Sequence, residues 1–294
     1  MNCPLCNHDA AFAYLQVKDF TVSNKLFELV KCQSCGFVYT CNPPDNNQIG
    51  LYYQSDAYIS HTDSKKGLFN KVYQSVRNFS IRHKLNLVKL YSKRSIGTIL
   101  DYGCGTGSFL HYMKLNGWNV AGIEPDPSAQ KKASALISQQ VLNPDRLKFL
   151  ESNYFDVVTL WHVLEHVHEL HSTLADLKRI LKKNSILIIA VPNHLSWDAI
   201  HYKEYWAAYD VPRHLYHFNP DSMHQLLERH GFSRKSVKPM WFDAFYVSLL
   251  SEKYRHGKIR VFSALITGFI SNIRAFIKPG TCSSQIFIYQ SSAH

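Results

Sequence analysis

The chain has 294 residues, a formal net charge of +11 and 46% apolar side chains, which excludes disorder by composition and permits a large domain beside a small one. Its start has neither a basic patch nor an apolar run, and no uninterrupted apolar stretch reaches the ~18 residues of a membrane span, so we expect neither a signal peptide nor a transmembrane helix. The positive charge is explained either by a solvated surface or by attraction to an anionic substrate, an anionic lipid or nucleic acid, and the scattered lysines and arginines disfavour nucleic acid.

Paired cysteines stand near the start of the chain, Cys3 with Cys6 and Cys32 with Cys35. Each Cys-x-x-Cys turn can present two thiolates to one ion, and four thiolates form the tetrahedral set that a structural Zn²⁺ prefers. A unit of about 40 residues cannot bury enough core on its own, so a metal would supply the missing stability. We therefore predict a zinc ribbon over residues 1–45 with these four ligands, in a reducing, cytoplasmic setting.

A segment rich in Pro and Asn follows, and residues 46–95 then show helical spacing of apolar residues, which predicts a helical lead-in. From residue 96 to 294, short apolar strands alternate with helices. The alternation predicts an α/β domain with a parallel sheet covered on both faces. Ligands of such sheets bind at the carboxyl ends of the strands. The expected strands are 98–102, 119–123, 155–160, 185–191 and 285–289.

A glycine-rich turn at residues 103–107 follows the first of these strands, with Asp101 just ahead of it. Glycines at alternate positions leave no side chain between the backbone and a ligand. Glu124 ends the neighbouring strand, where a carboxylate can accept hydrogen bonds from both hydroxyls of a ribose. The Gly-x-Gly-x-Gly spacing differs from that of dinucleotide-binding turns and favours S-adenosylmethionine (SAM), which has no phosphate.

These motifs resemble, in their order, those of class I SAM-dependent methyltransferases. The segments 99–107 and 122–126 are similar to the first and second motifs of this class. The segment 155–167 resembles the fourth-strand motif of the branch that contains ubiquinone-type O-methyltransferases, and 181–193 is similar to the fifth-strand motif. The resemblance implies a Rossmann-like sheet of seven strands, mostly parallel, whose antiparallel last strand is 285–289. The cofactor-binding residues that it implies are Asp101, Tyr102, Gly103, Cys104, Gly105, Gly107, Glu124, Pro125, Trp161 and His162.

The chain departs from the family after the third strand, where an Asp-bearing motif often meets the adenine. Residues 140–152 offer only Asn143 and Asp145 as weak matches, so the sequence does not predict the adenine contacts.

Transfer of a methyl group to oxygen or carbon also needs a base, and histidine is the natural base near neutral pH. The candidates are His162 and His166 after the fourth strand and His214 and His217 in the long connection after the fifth. In that connection Arg213 could bind an anionic group of the acceptor. Neighbouring aromatic residues could form a substrate wall: Tyr202, Tyr205, Trp206 and Tyr209. The alternative is an ordered aromatic loop whose histidines bond to the backbone. Glu165 with His166 could also hold a divalent ion, as is thought of some ubiquinone-type relatives.

The expected function is methylation of a small-molecule acceptor, foremost O-methylation of a sugar, lipid or quinone-like metabolite. C-methylation of a nucleotide sugar is a variant, because those relatives also carry a four-cysteine zinc module. The alternative from another class is a zinc-ribbon protein that binds or modifies RNA, which predicts a basic stripe with exposed aromatic residues.

The apolar segment 259–278 has two interpretations, a helix that covers the sheet or a peripheral membrane contact. The sequence indicates no oligomeric state.

Overall fold

The computed structural model describes residues 2–54 and 68–292, with side chains from residue 76 onward in the helix that begins at Leu68. The strands are β1 (Ala11–Lys18), β2 (Leu26–Cys32), β3 (Val38–Thr40), β4 (Thr98–Tyr102), β5 (Asn119–Ile123), β6 (Phe155–Trp161), β7 (Leu181–Pro192), β8 (Tyr216–His217), β9 (Phe232–Pro239) and β10 (Ser284–Ser291). The helices are α1 (Leu68–Ser92), α2 (Ser108–Leu115), α3 (Pro127–Ile137), α4 (Leu170–Ile180), α5 (Trp197–Tyr202), α6 (Pro220–Arg229), α7 (Asp243–His256) and α8 (Val261–Ile277).

The larger sheet has the order β5-β4-β6-β7-β10-β9. Strands β5, β4, β6 and β7 are parallel neighbours, and β10 lies antiparallel between β7 and β9. This arrangement confirms the α/β fold class, and the antiparallel strand β10 contains the residues predicted for it.

The number of strands differs from the expectation, because this sheet has six strands in the described part of the chain and not seven. Beyond β5 a single bridge joins Ile123 to Leu142. Pro144 then begins a 3₁₀ turn, Pro144–Phe149. Proline lacks the amide hydrogen that strand pairing needs, so Pro144 prevents this segment from continuing as a strand. The edge of the sheet beyond β5 therefore has one β-bridge where a seventh strand was expected.

Helices cover both faces of the sheet. Successive residues of β4 belong to opposite cores: Ile99 packs with α1, α2 and α3, whereas Leu100 packs with α4 and α6. Strand β6 is buried along its whole length, as expected for a central parallel strand with two covered faces.

The smaller sheet has the order β1-β2-β3-β8, so the N-terminal unit takes its last strand from the connection after β7. Val38 pairs with His217 and Tyr39 with Tyr216. Tyr39 also shares a hydrophobic core with Leu100 of the larger sheet. The boundary at residue 45 therefore divides the sequence while the two parts pack as one body. Part of the expected lead-in at 46–95, residues 55–67, lies outside the described residues.

Helices α7 and α8 form a hairpin in the connection between β9 and β10 and pack against each other and against α5. Of the helices in residues 2–54 and 68–292, none has both the length and the hydropathy to cross a bilayer.

Candidate active site and metal site

The thiols of the four N-terminal cysteines lie together. The Sγ atoms of Cys3 and Cys35 are 3.6 Å apart and those of Cys6 and Cys32 are 3.5 Å apart, and all four lie within 4.8 Å of one another. A tetrahedron with Zn–S bonds of about 2.3 Å has edges of about 3.8 Å, so the donor set fits a zinc ion. Four thiolates would close the coordination shell, which is typical of a structural site.

The first cysteine turn is held against the larger domain. Nε2 of His171 in α4 donates to the carbonyl of Pro4 at 2.7 Å, and its Nδ1 lies 2.8 Å from Nε2 of His230. Arg229, the last residue of α6, donates to the carbonyl of Leu5. A metal at this turn would therefore stiffen a region that contacts two helices of the Rossmann-like sheet.

The glycine-rich turn and Glu124 meet at the carboxyl ends of β4 and β5. The amide of Gly105 donates to Glu124 Oε2 at 2.7 Å, and the amide of Asp126 donates to Oε1 at 3.0 Å. Burial raises the pKa of Glu124, although these two amide bonds oppose the effect. A Cβ added to Gly105, where φ is +54°, would meet no atom of the described residues within 4 Å, so this part of the chain leaves room for a ligand above the backbone of the turn.

Asp101 lies at the end of β4, where it is 3% exposed and accepts a 2.6 Å hydrogen bond from the hydroxyl of Thr159. Burial raises the pKa of Asp101 to about 7, and Thr159 and the ammonium of Lys84 act against this rise. A carboxylate with such a pKa favours a cationic ligand group, because a positive charge restores its ionised form.

Lys84 of α1 is a residue that the sequence analysis missed. Its Nζ lies 4.3 Å from the ring centroid of Trp161 and 5.9 Å from that of Phe109. Burial lowers the pKa of Lys84, and the carboxylates of Asp101 and Asp243 oppose this shift. No local signal could have indicated Lys84, because it is one of several lysines in an amphipathic helix well before the glycine-rich turn.

Trp161 is the last residue of β6, and His162 follows it. Trp161 packs edge-on against Phe109 with a centroid distance of 5.7 Å. Nε2 of His162 lies 2.9 Å from Asp243 Oδ2, and Nδ1 lies 3.6 Å from Glu165 Oε1. Burial would lower the pKa of His162, but these two carboxylates outweigh burial and raise it. Asp243, the first residue of α7, was also missed, since it comes from a connection with no family motif.

The remaining residues predicted to bind the cofactor differ in whether their side chains or only their main-chain atoms are accessible at the turn. The side chains of Tyr102 and Cys104 are buried in opposite cores, so only their main chain lies in the turn. Gly107 lies against Ala133 of α3, and Pro125 is exposed beside Glu124. Their contacts with a cofactor stay a prediction.

The adenine side of the site also stays a prediction. The amide of Glu124 donates to the carbonyl of Leu142 at 2.9 Å, which brings Asn143 next to the carboxylate that ends β5. The side chain of Asn143 accepts from the amide of Asp145 at 3.5 Å at the start of the 3₁₀ turn.

A largely buried group of three polar side chains, Glu165, His166 and His214, follows the segment that packs on the glycine-rich turn. Glu165 is fully buried, and within the described residues neither of its carboxylate oxygens has a hydrogen-bond partner. One ring nitrogen from each of His166 and His214 lies with a Glu165 oxygen in a group whose members are all within 4.8 Å. Nδ1 of His214 faces the carbonyl of Ala208 at 2.9 Å, and Nδ1 of His166 faces the carbonyl of Arg213 at 3.0 Å.

The partner of His214 fixes the position of one proton, because a carbonyl oxygen only accepts and Nδ1 of His214 therefore donates to Ala208. Nδ1 of His166 also lies 2.9 Å from the hydroxyl of Tyr53, which can donate or accept. Burial lowers the pKa of His166 to about 4, so that ring is neutral at physiological pH. One ring nitrogen of each histidine lies beside Glu165, and such a set can accept a proton from an acceptor or hold a divalent cation.

The cluster is linked to the glycine-rich turn and to the connection after β7. A Cβ added to Gly103 would lie 2.3 Å from Cγ2 of Val163, so the chain ahead of Glu165 packs directly on the turn. The amide of Leu215 donates to the carbonyl of Glu165 at 2.8 Å. These contacts join the main chain of the cluster to the glycine-rich turn and to the connection after β7.

Two expectations about the connection after β7 are corrected. The side chain of Arg213 is 1% exposed, and its Nη2 lies 3.1 Å from Asp19 and 2.7 Å from Asp210. Its charge is neutralised inside the protein, so it does not serve as an anion-binding group. The residues expected in a substrate wall include three that are buried in the core shared with the N-terminal sheet: Tyr202, Trp206 and Tyr209.

His217 has a different environment from the candidate bases His166 and His214. It is buried in β8, where Nε2 lies 3.3 Å from the hydroxyl of Thr40 and the ring packs edge-on against Tyr209. Burial lowers the pKa of His217 well below its ordinary value. This placement favours a structural role in the smaller sheet.

The sheet order, the glycine-rich turn and the acid at the tip of the next strand together define a class I SAM-dependent methyltransferase. Residues 73–236, more than half of the chain, match the methyltransferase domain family, and the chain belongs to this family.

Named relatives agree with this membership. The chain is 26% identical over 191 residues to the ubiquinone biosynthesis O-methyltransferase of Rickettsia canadensis (strain McKiel), a match that spans 56% of this chain and 79% of that protein. It is 30% identical over 141 residues to the protein of the same name from Pelagibacter ubique (strain HTCC1062), spanning 42% of this chain and 58% of that one.

Among solved structures, a SAM-dependent methyltransferase from Archaeoglobus fulgidus superimposes with a TM-score of 0.51 at 18% identity, over 76% of this chain and all of the other (100%). Phosphoethanolamine N-methyltransferase 2 from Haemonchus contortus, solved with SAM, gives a TM-score of 0.50 at 17% identity over 72% of this chain and 53% of the other. At these identities the likeness concerns the fold.

SAM fits the site by its donor set. The open space above Gly105 gives the cofactor access to the backbone, the carboxylate of Glu124 borders that space, and the buried carboxyl of Asp101 suits a cationic amino group.

Proposed function

We propose that the chain transfers the methyl group of SAM to the hydroxyl of an aromatic, quinone-like acceptor. The observation that carries the proposal is the buried carboxylate of Glu165, which lacks hydrogen-bond partners within the described residues and lies within 4.8 Å of a ring nitrogen of His166 and of His214. His162, whose Nδ1 lies 3.6 Å from Oε1, offsets part of the charge of this carboxylate, and its unfilled hydrogen-bond positions suit a ligand that brings a hydroxyl. The names of the relatives from Rickettsia and Pelagibacter support an O-methyl product.

The reaction needs one proton to leave the acceptor as the methyl group arrives. The hydroxyl oxygen attacks the methyl carbon in line with the carbon–sulfur bond, that bond breaks, and the sulfur keeps its electron pair. The acceptor's proton passes to Nε2 of His214, whose Nδ1 is fixed by Ala208. Glu165, with Oε1 4.0 Å from this nitrogen, stabilises the imidazolium that forms.

For the cofactor we propose that Glu124 holds the ribose hydroxyls and that Asp101 pairs with the ammonium of the methionyl part. Lys84 is near enough to Asp101 to influence its pKa, and we assign it to the methionyl carboxylate. The cation–π contact with Trp161 holds the Lys84 ammonium on that side of the site.

A divalent cation is a second candidate at the same place, because one ligand atom each from Glu165, His166 and His214 fall within 4.8 Å of one another. When bound, such an ion would lower the pKa of a coordinated phenol. An anionic acceptor has less support than a neutral one, since Arg213 is already paired with two carboxylates.

We also propose that the cysteine set holds a structural Zn²⁺ and that residues 1–45, 46–95 and 96–294 are the functional divisions of the chain, working in the cytoplasm. The support for zinc is the spacing of the four sulfurs, and zinc thiolates favour a reducing compartment.

The test is methyl transfer to catechols and methoxyphenols, measured as S-adenosylhomocysteine release with and without EDTA, beside nucleotide sugars and RNA. We expect His214→Asn, which keeps a donor near the Nδ1 position, to lower kcat about 100-fold with little change in SAM affinity. Glu165→Gln should act similarly, and His224→Asn, at a part-exposed position on α6, is the control. Turnover of nucleotide sugars or RNA in preference to every phenol would refute the proposed acceptor. Loss on EDTA treatment that added Mg²⁺ restores would favour the cation at Glu165, whereas loss that only Zn²⁺ restores would reflect the cysteine site.

A further inference from the structure

Helix α8 differs from an ordinary surface helix because it buries its small side chains and exposes its large apolar ones. The residues that it buries are small or hydroxylic: Ala264, Thr267, Gly268, Ser271 and Ala275. Its large apolar side chains point outward, and Phe262 and Phe276 are 78% and 80% exposed. Others on the same face are Leu265, Ile266, Phe269, Ile273 and Ile277. The expectation of a helix that covers the sheet with its apolar face is therefore wrong.

Buried polar contacts fix this orientation. The hydroxyl of Ser271 donates to Oδ1 of Asp198 at 2.8 Å, and Oδ2 of the same carboxylate accepts from Trp206 Nε1 and Ser283 Oγ, each at 2.7 Å. Gly268 packs so closely on Phe245 that an added Cβ would lie 2.6 Å from that ring. A rotation of α8 that buried its phenylalanines would break these contacts, so the apolar face is a built feature of the surface.

The exposed charged residues next to α8 in the sequence have a single sign, whereas the two carboxylates that contact α8, Glu252 and Asp198, are buried. Residues 253–278 contain six lysines and arginines and no aspartate or glutamate. All six are exposed, with four before the start of α8 and two in its last turn or just after: Lys253, Arg255, Lys258, Arg260, Arg274 and Lys278. In a second copy of this chain, either direction of packing along α8 would bring cations against cations, which disfavours self-association.

We propose that α8 binds an anionic lipid bilayer by lying in the boundary between headgroups and acyl chains. The apolar face would enter the acyl region, while the cations at both ends of α8 would meet lipid phosphates. A groove of about 650 Å³ between α5 and the first turns of α8 continues the apolar surface beside Arg260, with Trp197 and Phe262 in its walls. This interaction goes beyond the methyl transfer and does not depend on which acceptor the enzyme uses.

The experiment is flotation of the full chain with vesicles of phosphatidylcholine, alone or with about one third phosphatidylglycerol. We expect binding to the anionic vesicles, at least about tenfold weaker binding to neutral ones, and further weakening by salt. The double variant Phe262→Ser/Phe269→Ser should lower the bound fraction about tenfold or more. Arg274→Gln/Lys278→Gln should lower it on anionic vesicles alone.

The matched control is Phe149→Ser, because Phe149 is 65% exposed and has Arg146 and Lys148 beside its ring, at a site remote in sequence from α8. SAM binding by every variant checks folding, and methyl transfer to a water-soluble acceptor should stay unchanged in the α8 variants. The proposal is overturned by equal binding of wild type and the phenylalanine variant, or by a concentration-dependent dimer without vesicles that the phenylalanine variant abolishes. Neither result bears on the methyltransferase activity, which the soluble assay measures separately.

Discussion

The hydroxyl of Thr40 donates a 2.7 Å hydrogen bond to the main-chain carbonyl of His214. The amide of Thr40 also donates to the carbonyl of Leu215 at 2.9 Å, so the last residue of β3 binds two successive main-chain carbonyls. Through these bonds the cysteine-bearing sheet sets the position of the histidine that we propose as the base.

Thr40→Val should therefore reduce both stability and catalysis. It keeps the shape of the side chain but leaves the His214 carbonyl without its donor, at a cost of about 1–3 kcal/mol of unfolding free energy. We expect kcat to fall several-fold while SAM affinity is retained, measured by steady-state kinetics and calorimetry. Thr40→Ser, which keeps the hydroxyl, should restore most of kcat. If valine and serine give the same kcat, this bond does not position the base.

Zinc should be present at one ion per chain in the purified protein, as measured by metal analysis. Cys6→Ser should lower the metal content and the melting temperature, because the fourth thiolate is lost and the site weakens. Cys41→Ser, a cysteine outside the cluster, should keep both. A chain that is free of metal and keeps the melting temperature of the zinc-loaded chain would contradict a structural role.

The open space at Gly105 predicts the effect of one added methyl group. Gly105→Ala introduces no clash with the residues that the structure describes, although its φ of +54° is strained for alanine. We expect a folded protein whose SAM affinity is at least about tenfold lower, since the methyl group occupies space assigned to the cofactor. Gly280→Ala, where an added Cβ also meets no neighbour, is the control. Equal SAM affinity in both variants would separate the turn from the cofactor.

SAM binding should release protons around neutral pH. The pKa of Asp101 is about 7 in the folded chain, above its ordinary value of 3.8, so the folded state holds a proton that the unfolded state loses, and this group's contribution to stability falls as pH rises from about 4 to about 7. A bound ammonium favours the ionised carboxylate, so SAM affinity should increase through the same pH range and level off above it.

Calorimetry in two buffers of different ionisation enthalpy measures this linkage. At pH 7 about half a proton should leave Asp101 per SAM bound, because the carboxyl is then about half protonated. Asp101→Asn should remove the release. An unchanged release in that variant would assign the proton to another group.

The fold and the cofactor turn could be predicted because their signals are local. The strand lengths, the glycine spacing and the acid that ends β5 are readable from adjacent residues, and the structure brings Glu124 to Gly105 as their positions at strand ends require. Lys84 and Asp243 could not be predicted, since they reach the site from α1 and α7 through packing alone.

The direction in which a side chain points, toward the site, the core or the solvent, could not be predicted from the sequence. The aromatic run around Trp206 has the composition of a substrate wall, but its neighbours in space are apolar residues of β1 and β2, which sequence distance conceals. The position of Arg213 in the long connection likewise predicts binding of an anionic acceptor, but in the structure the guanidinium pairs with the carboxylates of Asp19 and Asp210. For α8 the apolar period predicted a helix but could not tell which side faces the protein.

The pairing of β3 with β8 has a consequence for the order in which the chain can assemble. The two partners are separated by 174 residues between Thr40 and His214. During synthesis the N-terminal part emerges first, so β3 remains an unpaired edge until the segment after β7 has been made and the parallel strands have assembled. A metal bound early by the cysteines would keep β1, β2 and β3 in register during that interval, and docking of β8 would be a late step of folding.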